Sequence, residues 1–206
     1  MITAAEICLL TSLFVGRHEG LGLTQSRHDF LCSQAGIIVS ASEQFEEIDP
    51  LLLVSLIHQE SSWNPEVGCN PSFCGITQIG WRAYQDVTGH LDSKTIFKSE
   101  LLNPEKAIFV GAAYLAQRIQ RHGSLRMGLA AYNGGDSNPQ FWYADDILEN
   151  HQYLLELKKL LPTPRIPYSI REENDENFLN LYCFFFLFIF GHFLLYHLNQ
   201  MRIKKY

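Results

Sequence analysis

From Leu51 to Ile57 the chain is apolar at every position except Ser55. A surface helix keeps a polar face and a half-buried strand alternates, so this run predicts a helix buried on most of its sides. Asp49-Pro50 supplies an N-cap followed by proline at the first helical position, and Asn64-Pro65 stops the helix just after Ser62. Asn103-Pro104-Glu105 repeats the same start, and Ile108, Phe109, Ala112, Leu115, Ala116 and Ile119 recur at helical spacing until His122-Gly123 ends the element. Ser124 opens a shorter helix to about Tyr132, the turn-forming stretch Asn133 to Pro139 breaks it, and a last helix runs to Leu161 before Pro162. Between the first two long helices lie a Cys/Asn/Pro/Gly-rich loop, Gly68 to Gly75, and a short helix around Trp81, Tyr84 and Val87. Strand-like alternation is scarce, so the expected fold class is all-α (mainly α).

A different pattern closes the chain. The 21 residues from Phe178 to Leu198 contain no Asp, Glu, Lys or Arg. At about 1.5 Å per residue they would span roughly 30 Å, the thickness of a bilayer's hydrocarbon core, and they predict one C-terminal transmembrane helix. Arg202, Lys204 and Lys205 follow this stretch. By the positive-inside rule the C-terminus then faces the cytoplasm and the preceding domain the other side. His192 and His197, inside the span, read as tolerated neutral imidazoles rather than a proton path. The apolar stretch Ile7 to Val15 lacks the cationic flank of a secretory signal, since Glu6 precedes it and the first basic residue is Arg17. The expected organisation is a weakly hydrophobic N-terminal segment 1–29, a helical domain 30–161, a linker 162–177, a transmembrane helix 178–198 and a basic tail 199–206.

With 206 residues, 47% hydrophobic and 18% charged, the chain has enough apolar material for one domain with a true core. Residues 1–177 hold all 22 acidic but only 13 of the 16 basic groups. A body that acidic repels phosphate backbones and excludes a nucleic-acid partner. The five cysteines, Cys8, Cys32, Cys69, Cys74 and Cys183, show no zinc-type spacing. Cys69 and Cys74 alone are close in sequence. In an oxidising compartment they form a small loop-closing disulfide, and elsewhere they stay free thiols.

Glu60 sits near the C-terminal end of the apolar helix, close to Ile57 and Trp63. Partial desolvation there disfavours the carboxylate and raises its pKa toward that of a general acid. Downstream, Gly75-Ile76-Thr77-Gln78-Ile79 combines a glycine turn with an amide able both to donate and to accept, as sugar hydroxyl and N-acetyl groups require. Ala131-Tyr132-Asn133-Gly134-Gly135 offers a second such set at a helix end. Taken singly, each string has a plain structural explanation: a surface glutamate, a turn, a core tyrosine.

Together and in this order, Glu60-Ser61-Ser62-Trp63-Asn64-Pro65, Gly75-Ile76-Thr77-Gln78-Ile79, Leu102-Asn103-Pro104 with Ile108, Gly111, Tyr114 and Leu115, and Ala130-Ala131-Tyr132-Asn133-Gly134-Gly135 resemble the soluble lytic transglycosylase (SLT) family. The resemblance covers roughly residues 47–157. It implies a lysozyme-like transglycosylase domain with a glycan groove, no cofactor or metal, and peptidoglycan glycan strands as substrate. Position by position, it places the catalytic acid on Glu60 and its following serine on Ser61. Gly75 and Gln78 fall on the Gly-Leu-Met-Gln motif, and Tyr132 and Asn133 on the Ala-Tyr-Asn motif, as substrate-binding positions. Two positions depart from the family's pattern: Thr77 replaces methionine, which would shorten an apolar groove contact and make it polar, and Gly134 replaces alanine.

Glycoside hydrolases need two carboxylates, and the matched motifs hold one. The resemblance therefore implies lyase-type cleavage. Glu60 protonates the β-1,4 oxygen between N-acetylmuramic acid and N-acetylglucosamine, then takes the proton of the muramoyl C6 hydroxyl as that oxygen closes a 1,6-anhydro ring. A lysozyme-type muramidase would instead recruit Asp86 or Asp92 to hold a water. A non-catalytic glycan-binding membrane protein would keep the groove but have no need of Glu60. The expected setting is a single-pass protein whose main domain lies on the non-cytoplasmic side of a bacterial inner membrane or a phage virion membrane, within an envelope or virion complex.

Overall fold

The computed structural model describes residues 2–19, 23–89 and 94–161. Among them are eight helices and one two-stranded hairpin, in the order α1 (Ala4–Glu19), α2 (Gln25–Gln44), α3 (Pro50–Ser61), β1 (Phe73–Cys74), β2 (Ile79–Gly80), α4 (Trp81–Thr88), α5 (Lys94–Leu101), α6 (Pro104–His122), α7 (Leu125–Gly134) and α8 (Phe141–Leu160). The strands are antiparallel, with Phe73 opposite Gly80 and Cys74 opposite Ile79. The expected linker 162–177, transmembrane helix 178–198 and basic tail 199–206 lie outside the described residues. Among the described residues, no helix is long and apolar enough to cross a membrane.

The core is organised around α3. Asp49 caps it, its carboxylate accepting from the Leu51 and Leu52 amides at 2.9 and 3.3 Å, and every residue from Leu51 to Ile57 is buried. Helices α1, α2 and α8 pack against it and account for its lack of a polar face. Helix α6 is a second hub, touching α2, α4, α5 and α7. Asn103 caps α6 through the Lys106 amide, and Gly123 ends it in the left-handed region at φ 64°. Helix α7 crosses α6 closely because Gly128 has no side chain: a Cβ there would lie 2.6 Å from Ile119 Cγ1.

Helix α1 corrects the expected boundary at residue 30. Ile7, Leu10, Phe14 and Val15 are fully buried in the same core as α3, and the compact unit takes in the N-terminal helix together with α8. The stretch that lacked a signal peptide's cationic flank is the apolar stripe of a packed helix. A Cys8–Cys32 disulfide ties α1 to α2, a pairing that a separation of 24 residues in sequence did not suggest. Helix α5 likewise has no counterpart in the hydrophobic pattern, being short and mostly exposed apart from Phe97 and Leu101.

Candidate functional site

Glu60 occupies the last turn of α3. Beyond it the backbone takes two successive left-handed residues that are not glycine, Ser62 at φ 50° and Trp63 at φ 58°. Such conformations cost energy and persist only where the surroundings hold them. Here the Ser62 amide donates to the His58 carbonyl at 2.8 Å, the Arg27 guanidinium from α2 donates to the Ser62 carbonyl, and the Trp63 side chain is wholly buried. The chain thus turns sharply away just after the carboxyl.

The tyrosines facing Glu60 come from the far end of the sequence. Tyr143, two residues into α8, is 2% exposed and donates its hydroxyl hydrogen to Glu60 Oε1. The Tyr132 ring stacks on the Tyr143 ring at a centroid distance of 6.4 Å and 8° between planes, with Tyr114 tilted against Tyr132 at 5.3 Å. Burial pushes the Glu60 carboxyl up from its ordinary range to about 7, against the smaller opposing pull of the Tyr143 hydrogen bond. Tyr132 and Tyr143 are both held well above the usual phenol range, by burial first and by the Glu60 charge second. They stay protonated, so Tyr143 remains a donor to the carboxyl across the physiological range.

The other positions singled out in the sequence divide between this site and its support. Ser61 donates its hydroxyl hydrogen to the Ile57 carbonyl at 3.0 Å, so its donor serves the helix. Gly75, buried at φ 73°, makes the turn between the two strands. Its carbonyl accepts from both the Gln78 amide, at 3.0 Å, and Gln78 Nε2, at 2.7 Å, which orients a half-exposed side chain on a residue that itself sits at φ 44°. The Tyr132 hydroxyl donates to the Thr77 carbonyl at 2.8 Å and fastens this hairpin turn to α7. Asn133, next along α7, is exposed.

One sequence-based expectation changes, and the other departure finds its reason. Thr77 has no exposed surface: its hydroxyl donates to the Ala107 carbonyl at 2.8 Å and its methyl faces Gly111, where a Cβ would come within 2.8 Å. A longer side chain would collide with α6 at that point, so the departure at Thr77 acts on helix packing rather than on the groove. Gly134 leaves room for Gln140, whose Cγ would lie 2.8 Å from a Cβ on residue 134. The loop between them is held to α6 by Asp136, which accepts from Arg118 at 3.0 Å and pairs with His122 Nε2 at 2.8 Å.

Cys69 and Cys74 are joined as a disulfide beside the hairpin. Asp86 is more than half exposed and lies 4.0 Å from Arg118, and Asp92 is outside the described residues. Burial and Tyr143 are the causes of the Glu60 shift, with no carboxylate among the described residues contributing. Tyr143 is the residue that motif reading missed. Its one sequence-level signal was the aromatic run Phe141-Trp142-Tyr143 opening a helix directly after a loop of turn residues.

The chain is similar to known proteins in sequence and in fold. The profile of the family described as "Transglycosylase SLT domain" matches residues 38–153. A protein named transglycosylase from Enterobacteria phage PRD1 is 30% identical over 107 residues, a stretch covering 52% of this chain and 36% of that protein. The chain therefore spans little more than a third of that relative's length. Among solved structures, an inactive mutant of the lytic transglycosylase Slt from Pseudomonas aeruginosa superposes with a TM-score of 0.51 at 17% identity, over 68% of this chain and 26% of that one. At that identity the likeness is one of fold.

Proposed function

The chain belongs to the transglycosylase SLT family, and we propose that it is a peptidoglycan lytic transglycosylase with Glu60 as its single acid and base. The observation that carries this reading is one buried carboxyl, shifted to about 7 and held by Tyr143, with no carboxylate among the described residues contributing to its state. Near neutral pH a large share of Glu60 is protonated and can give its hydrogen to the β-1,4 oxygen as the bond to the muramoyl C1 breaks. Left as a carboxylate, it then takes the hydrogen of the muramoyl C6 hydroxyl while that oxygen bonds to C1. One proton leaves and one returns, no water is consumed, and the product ends in a 1,6-anhydro ring. Gln78, Tyr132, Asn133, Ser61 and Gly75 are the residues we assign to holding and shaping the glycan groove.

Mass spectrometry of muropeptides released from purified sacculi tests the reaction type. Anhydro ends are expected; reducing ends with an added water would mean a hydrolase with a second carboxylate instead. Because the acid must start protonated, kcat/KM should fall as pH rises through about 7. Tyr143→Phe removes a hydrogen bond that favours the ionised form, so this alkaline limb should move to higher pH while kcat drops. A limb that stays in place would mean that Tyr143 only packs.

For the setting, we place the domain outside the cytoplasm, tethered by residues 178–198. The phage origin of the PRD1 relative favours a virion membrane over a bacterial one. Protease protection of residues 1–177 in fractionated cells and purified particles decides between them.

A further inference from the structure

We propose that the exposed indole of Trp142 is a stacking platform for one sugar ring of a β-linked N-acetylhexosamine strand, beside the ring pair that is cleaved. This rests on the reading of the Glu60 site as glycan-cleaving. Trp142 is 58% exposed, in a molecule whose other two tryptophans are wholly or partly buried. Its neighbour Phe141 is also exposed, but the Arg126 guanidinium covers that ring at 4.6 Å from the centroid. Leaving the largest apolar side chain open to water wastes burial that a core position would gain, which marks a surface meant for something else.

The indole is held in place. Its Nε1 donates to Gln140 Oε1 at 3.0 Å, and the Tyr143 ring meets it edge to face, with centroids 6.0 Å apart and 88° between planes. Gln140 is itself fixed, its backbone amide donating to the Ala130 carbonyl at 2.9 Å and its Nε2 to the Asn138 carbonyl at 2.9 Å. Glycine at 134 is what admits Gln140 to this position. The departure from the family's alanine therefore ends, one steric contact and one hydrogen bond later, in a pre-oriented tryptophan. A ring already fixed loses little side-chain entropy when something lies on it.

The ligand class follows from the shape and place of the platform. A β-linked N-acetylhexosamine carries its substituents near the plane of the ring and presents axial C–H groups above and below, which suit a flat aromatic face. Tyr143 connects the platform to the acid: its ring touches Trp142 and its hydroxyl reaches Glu60. The platform thus lies one aromatic ring away from the Glu60 carboxyl. Its contact is the same before and during cleavage, so it should lower KM and leave kcat alone.

The test uses the full-length chain carrying Glu60→Gln, so that binding is read without cleavage, with uncrosslinked glycan strands and a soluble β-1,4 N-acetylglucosamine tetramer as probes. Trp142→Ala should weaken binding of both about tenfold, the order of an aromatic stack. Trp142→Phe should stay within about threefold and lose the fluorescence quench that glycan produces in the parent, whereas Trp142→Leu should behave as alanine does. In the active chain Trp142→Ala should raise KM with kcat within about twofold. Trp142→Ala binding as the parent does would overturn the proposal, and so would Trp142→Leu matching Trp142→Phe at equal Tm, since any apolar group would then serve. If the active chain fails to open sacculi while the tetramer still needs Trp142, the cleavage reading falls and the platform stands.

Discussion

Glu60→Gln is expected to reduce release of soluble muropeptides from sacculi by at least about a thousandfold, since positioned acid–base groups contribute factors of roughly 10² to 10⁴ and this one serves both half-steps. The substitution keeps the shape of the side chain and an Oε1 that can accept from Tyr143, so glycan binding should survive. It should also change stability with a definite sign. The Glu60 carboxyl titrates near 7 in the folded chain against an ordinary value of 4.5. Between those values the folded state binds more protons than the unfolded one, so the glutamate's contribution is full below about pH 4.5 and is lost as pH rises through 7. The difference corresponds to about 3.5 kcal/mol at most, at roughly 1.4 kcal/mol per pH unit. Glutamine carries no such dependence. Thermal unfolding should therefore show Glu60→Gln gaining on the parent between pH 4 and pH 8, and a constant gap would mean that the carboxyl is not held neutral. Residual cleavage near the parent rate would remove Glu60 from its role.

The site is only half legible in the sequence. Helices α3 and α6 can be read because Asp49-Pro50 and Asn103-Pro104 announce them and glycine or left-handed residues close them. Glu60, Gln78 and Tyr132 can be read because they sit in short strings of local sequence. Tyr143 cannot: it is 83 residues from Glu60, and its function exists only once α8 packs along α3. Thr77 misleads for the opposite reason. Lying inside a groove motif, it suggests a ligand contact, yet the turn that brings Gln78 outward sends Thr77 inward against Gly111. Local strings thus nominate the candidate residues, while the packing of α6 and α8 decides which way each one points.

The same packing makes Gly75 the position where one carbon atom should do the most structural damage. Gly75→Ala places a methyl group at φ 73°, which costs a non-glycine residue about 1 kcal/mol or more. The added Cβ would also lie 2.0 Å from the Leu101 carbonyl oxygen and 3.3 Å from Ala107 Cβ. Neither neighbour is a flexible chain end: Leu101 closes α5, and Ala107 is in the first turns of α6. Relief therefore requires the hairpin turn to lift away from both helices. That movement would break the Tyr132 hydrogen bond to the Thr77 carbonyl and misdirect Gln78, whose side chain is held by the Gly75 carbonyl. We expect a loss of at least about 3 kcal/mol in denaturant unfolding, combining backbone strain with overpacking, and loss of cleavage in whatever fraction folds. Gly89→Ala supplies the comparison, since Gly89 has nearly the same φ, 69°, but nothing within 4 Å of its Cβ position. It should cost only the backbone share, about 1 kcal/mol, and leave cleavage unchanged. Equal losses at the two positions would mean that the turn is not wedged against α5.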